Sequence, residues 1–213
     1  MPEGKIIAFI GLPGSGKSSI AKDFCDRLEN AVLVPEIAEI AASKGFEVAD
    51  RASIGTETWF LTQYYTRGVE AKKMKDDGKI VIMDGNYANS LAFGFANFVA
   101  SNNPSFFMHF PSYIVNKAVG TLVRPDAYIF FRVSIKDSVR RQVIRRKEEL
   151  KTKSTQVLED VDRFYKLFFS ILEPEIPLYE IDASKQKDDV TKQVEEILEK
   201  ELKLPFTKRL KRI

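Results

Sequence analysis

The chain has 213 residues, 44% hydrophobic and 30% charged, with a net charge of +3. This is the composition of a globular protein long enough to bury a substantial core. The near-neutral charge gives no electrostatic case for nucleic-acid binding, no apolar run reaches membrane-spanning length, and "MPEGKIIAFIG" lacks a signal-peptide pattern. Cys25 is the only cysteine, so no internal disulfide or cysteine-built metal site can form. A reducing, cytoplasmic setting is expected, with Cys25 a small buried apolar residue.

The first element, Lys5–Ile10, is an apolar, β-branched run and reads as a buried strand. "GLPGSGKS", Gly11–Ser18, follows it and fits G-x-x-x-x-G-K-[ST]. Glycines at Gly11, Gly14 and Gly16 let the backbone turn so that successive N–H groups face inward. With the positive end of the next helix they suit the β-phosphate of a nucleoside triphosphate. The expected cradle is Gly11, Pro13, Gly14, Ser15, Gly16, Lys17, Ser18 and Ser19. Lys17 would reach the β- and γ-oxygens, and the Ser18 hydroxyl would ligate Mg²⁺.

Ser18–Glu29 is predicted helical, with Ile20, Phe24 and Leu28 on one face, and Ala31–Val34 is the second strand. Glu36 follows in "VLVPEIAE". Thr56–Asp76 is a long helix stopped by "DDGK"; Trp59, Gln63 and Arg67 stand at i, i+4 and i+8 and share a face. The third strand, Ile80–Met83, ends in Asp84, the usual form of a second nucleotide motif, whose carboxylate would support the metal. Tyr87–Arg124 is aromatic and irregular, with "SNNPSFFMHFPSY" at its middle, and predicts an extra helix or two and a loop. His109, alone among aromatics, reads as packed and hydrogen-bonded.

Ala127–Val133 is the fourth strand. Ser138–Leu150 and Val157–Leu172 are helical, and Arg140, Arg141, Arg145 and Arg146 crowd the start of the first. Arg141 and Arg145, four apart, can face one phosphate group and stabilise charge on its oxygens. Strand Leu178–Ile181 and helix Val190–Leu202 complete the alternation, before a basic tail, "KLPFTKRLKRI", expected to be solvated. The pattern predicts one α/β domain over 1–213: a doubly wound, mostly parallel five-stranded sheet flanked by helices, its site at the strands' carboxyl ends.

Several blocks carry a family resemblance. "WFLTQYYTRGVEAKKMKDDGKIVIMDGNYANSLAF", "RPDAYIFFRVSIKDSVRRQVIRR" and "LYEIDAS" resemble the thymidylate kinase and deoxynucleoside kinase group of phosphate-loop kinases. The likeness implies a nucleotide-kinase-like fold with a helical lid about 138–153 and an acceptor-side insertion about 87–124. It implies Mg²⁺-dependent transfer of the ATP γ-phosphate to a small acceptor, a nucleoside or nucleoside monophosphate. Glu36 would take the acceptor's proton, Lys17, Arg141 and Arg145 would act on the transferring group, and Ala183 and Ser184 would wrap the adenine. Trp59, Gln63, Arg67 and Tyr87 would line the acceptor pocket. Relatives commonly pair as dimers; no nucleic-acid or membrane partner is implied.

Two departures stand out. Pro35 precedes Glu36, a "PExA" form similar to the phosphate-loop group that includes nicotinamide riboside kinases. Relatives carry Arg directly after the strand-three acid, where this chain has Gly85; Arg124 or a lid arginine would have to replace it. The missing Arg also fits a different class, a nucleotide-hydrolysing regulatory module that signals by shape. The lid arginines, Glu36 and the absence of N-K-x-D weigh against that reading.

Overall fold

The computed structural model describes residues 3–38, 40, 54–146 and 152–207. Five strands form one sheet: β1 (Lys5–Gly11), β2 (Ala31–Val34), β3 (Ile80–Asp84), β4 (Ala127–Arg132) and β5 (Leu178–Asp182). Their order is β2-β3-β1-β4-β5 and every pairing is parallel. The expected doubly wound sheet is therefore present. β1 is central, and its carboxyl end lies where connections leave for opposite sides of the sheet, the usual crevice for ligands in such folds.

Alternation along the strands builds two cores. Ile7 and Phe9 of β1, Ile80 and Ile82 of β3, and Ile129 and Phe131 of β4 face helices α1 (Lys17–Arg27) and α7 (Lys187–Glu196). Ile6, Ala8 and Ile10, with Val81, Met83, Tyr128 and Phe130, face the other way. They meet α2 (Ile54–Asp76), α3 (Tyr87–Ser101) and α6 (Thr152–Leu167). Strands apolar on both faces need cover on both, which is why the chain alternates strand and helix so regularly.

The aromatic stretch after β3 forms two helices, α3 and α4 (Ser105–Ala118). Asn102 breaks them apart in the left-handed conformation, at φ 55°. The helix after β4, α5, runs Ile135–Arg146, with only Val133 and Ser134 between it and the strand. α6 ends in a π-helical turn, Phe168–Leu172, closed by the Glu173 N–H donating to the Phe168 carbonyl at 2.9 Å. The Glu173 carboxylate is buried there, accepting from the Tyr113 hydroxyl and from Arg124 Nε at 2.7 Å.

The beginning of the tail corrects the expectation of a solvated terminus. Leu204 is buried, and Phe206 makes an antiparallel bridge with Leu28 and meets the Phe24 ring edge-on. Arg27 lies over both rings. Residues 208–213 lie outside the described ones. Cys25 is half-buried against the α1–α7 core, and burial raises its thiol pKa. No helix among the described residues is long and apolar enough to cross a membrane.

Candidate active site

Strand register assembles the site. The β1–β3 ladder sets Asp84 beside Phe9, two residues before Gly11, and the Gly85 N–H closes the junction by donating to the Phe9 carbonyl at 3.0 Å. The β2–β3 ladder pairs Val34 with Met83, so Glu36, two residues on, leaves the sheet beside Asp84. The loop between β1 and α1 turns through Gly14 and Gly16 at φ 79° and 92°, torsions that glycine adopts without strain. Ser15 N–H donates to the Leu12 carbonyl at 3.1 Å inside that turn.

α1 begins at Lys17, so its positive end opens on the loop. The Lys17 side chain is buried and lies between two carboxylates, 3.6 Å from Glu36 and 3.9 Å from Asp84. Asp84 is almost fully buried, whereas Glu36 keeps a quarter of its side chain exposed. Ser18 is partly buried one residue after Lys17, and Ser19 is exposed. A hydroxyl and a carboxylate are hard oxygen donors, the set Mg²⁺ accepts when its other positions go to water and phosphate. Ser18 and Asp84 thus fit that ion by their chemistry.

Arg67 projects from α2 under the same cluster. It is 6% exposed and donates to the Pro35 carbonyl, the residue before Glu36. Its Nη1 has no hydrogen-bond partner among the described residues. Burial lowers the guanidinium pKa, an effect opposed by Tyr64, Asp84, Glu70 and Glu36 nearby. Gln63 is partly buried one turn before Arg67, and Trp59 is 36% exposed another turn back, edge-on to Phe60. The α2 face thus runs from Arg67 in the interior to Trp59 at the surface.

Three expected site residues sit elsewhere or do something else. Tyr87 is corrected: it is 2% exposed, packed between Tyr65 and Tyr113, with its hydroxyl 3.2 Å from that of Tyr128. Because Asn86 caps α3, accepting from the Ala88 N–H at 3.0 Å, Tyr87 falls on the turn that faces the sheet. Arg124 does not stand in for the missing arginine, since it is bonded to Glu173 and Glu175. Arg141 was expected on the phosphates. Its guanidinium instead donates to the carbonyls of Ala183 at 2.8 Å, Ser184 at 3.2 Å and Gly14 at 3.4 Å. It ties the expected adenine loop to the phosphate loop. The side chain of Arg145 lies outside the described ones, as do residues 147–151 of the expected lid.

Gly85 explains its own identity. Its φ is 79°, and a Cβ there would come 2.9 Å from the Asn89 side-chain nitrogen. Sequence reading also missed Ser138 and Gln142, which join Arg141 on one face of α5 and bond to Pro13 of the loop. Their spacing from Arg141, three residues before and one after, was the available signal. His109 is buried as expected, its Nε2 3.2 Å from the Thr58 hydroxyl, and burial lowers its pKa. A cavity of about 490 Å³ opens at the carboxyl edge of the sheet, lined in part by Leu12, Phe131, Asp137, Asp182 and Ser184.

No protein-family profile matches the chain, and no curated protein does. Solved structures do. A deoxyadenosine kinase from M. mycoides with dCMP and a flexible dCDP bound is 21% identical, with a TM-score of 0.69 over 93% of this chain and 99% of that one. The same enzyme with dATP bound gives 18% and 0.68, over 91% and 98%. Thymidylate kinase from Candida albicans gives 18% and 0.64, over 96% and 98%. The fold is that of the nucleoside and nucleotide kinases. The alignments span more than nine-tenths of this chain and nearly all of each of those chains.

Proposed function

We propose that the chain is a phosphotransferase that moves the γ-phosphate of ATP, with Mg²⁺, to a small nucleoside or nucleoside monophosphate acceptor. The observation that carries this reading is that the Lys17 ammonium, at the end of the phosphate loop, lies within 4 Å of two carboxylates, Glu36 and Asp84. A hydrolysing switch needs only the loop, the lysine and the metal acid. A second carboxylate, partly exposed at the end of β2, is what a transferase adds to orient an acceptor hydroxyl and take its proton.

The donor triphosphate would lie along the loop, its β-phosphate on the amides of Gly14 to Ser19 and the α1 N-terminus. Ser18 and Asp84 would hold Mg²⁺, which neutralises charge on the β- and γ-oxygens when bound. Lys17 leaves its resting carboxylates for the phosphoryl oxygens. Glu36 is then freed to face the acceptor, with Arg67 fixing Pro35 behind it. Ala183 and Ser184 take the adenine side; Gln63 and Trp59 line the acceptor side. The segment 138–153 acts as lid and 87–124 as the acceptor wall. Lid closure would exclude water and limit hydrolysis.

The test is labelled ATP with nucleosides, nucleoside monophosphates and nicotinamide riboside, products separated, with and without chelator. Label should pass to a nucleoside or nucleotide acceptor and chelation should stop it. Free phosphate as the sole product across the whole panel overturns the proposal.

A further inference from the structure

α5 touches the phosphate loop through three side chains in five residues. Ser138 is fully buried, and its hydroxyl donates to the Pro13 carbonyl at 2.7 Å. A helical serine ordinarily bonds back to its own helix or to water; this one reaches 125 residues back along the chain. Gln142, also buried, sets the direction of that proton. Its amide nitrogen lies 3.2 Å from Ser138 Oγ and donates to it, which leaves the hydroxyl hydrogen for Pro13. Arg141 takes the next carbonyl, that of Gly14. The fit is close: a Cβ on Gly14 would stand 3.0 Å from the Ser138 carbonyl.

The described residues contain no cis peptide, so the Pro13–Gly14 bond is trans and the Gly14 N–H points opposite to the Pro13 carbonyl. Holding that carbonyl on α5 therefore aims the Gly14 amide away from α5. We propose that Ser138 is a positioning residue of the donor site: by pinning the Pro13 carbonyl it presets the Gly14 N–H as a donor to the bound β-phosphate. A peptide free to rotate would have to be oriented at each binding event, and preorganised amides avoid that cost. The inference rests on the reading of the loop as a phosphate site.

The test compares Ser138→Thr with Ser138→Val. The two add the same bulk to a closed site and differ in the hydroxyl, so crowding appears in both and the hydrogen bond in one. Binding of ADP and of AMP, which lacks the β-phosphate, is measured by calorimetric titration with magnesium present, beside the unfolding temperature of each variant. Relative to the Thr variant, the Val variant should bind ADP about five- to tenfold more weakly, the size of one neutral hydrogen bond. AMP affinity should be equal in the two. Equal ADP affinity, or an equal loss for ADP and AMP, overturns the latch. Wild-type protein that binds no ADP at all overturns the donor-site reading itself, a different failure.

Discussion

Around the loop between β1 and α1 the groups proposed to meet a ligand are main-chain amides, set by glycine torsions and held from outside by α5. Around Arg67 they are side chains, set by how α2, α3 and α6 pack on the aromatic face of the sheet. The first arrangement depends on spacing along the chain. The second depends on which way helices turn once they are packed. Spacing alone therefore defines the proposed donor side, eight consecutive residues long, whereas the proposed acceptor side needs the fold to bring Arg67 to Pro35, 32 residues away in sequence.

That contrast can be broken at five points. Lys17→Ala should cut kcat by about 10²–10³-fold or more, since it removes a cation from the transferring group; activity within tenfold of wild type would dismiss the loop as the reaction centre. Glu36→Gln should lower kcat about 10²-fold or more while ATP affinity holds. A loss of ATP affinity with kcat kept would make Glu36 a partner of Lys17 only. Arg67→Met removes a buried charged donor and should raise the acceptor KM about tenfold, with the KM for ATP steady; equal changes in both would show a collapse of the β2 exit instead.

The two smallest effects concern the aromatic face. Burial holds the His109 pKa below its ordinary 6.5, so the unfolded chain binds the extra proton. Its contribution to stability is complete above pH 6.5 and is lost as pH falls through 6.5 toward the folded value. Denaturant midpoints between pH 7.5 and 5.5 should fall, and His109→Gln should flatten that slope. Tyr87→Phe should cost about 1 kcal/mol of stability by removing one buried hydroxyl contact and leave both KM values alone. A shift in acceptor KM would return Tyr87 to the site.

Much of the fold was legible. Four of the strands differ from expectation by one residue at one end and the fifth, Ala31–Val34, agrees at both, because buried parallel strands are continuous apolar runs and little else is. Asp84 and Glu36 could be placed at strand ends for the same reason, and the parallel register then brought them to Lys17. What sequence could not show is the use of a side chain after packing. Arg141 has the right position on α5 for a phosphate, yet three carbonyls claim its guanidinium. Tyr87 begins the helix after the acid, and the Asn86 cap sets the phase that turns it into the core. Ser138 carries no motif, and its meaning depends on Pro13, far away in sequence.

Gly85 and Asn89 bear on what the turn after Asp84 can hold. An arginine at 85 would have to adopt a left-handed backbone and displace the Asn89 amide at once. A smaller residue at 89 would relieve the contact and leave the φ of 79°, so the backbone would still have to change for an arginine to fit. The turn after Asp84 therefore resists any side chain at 85 on two separate counts, one of torsion and one of space.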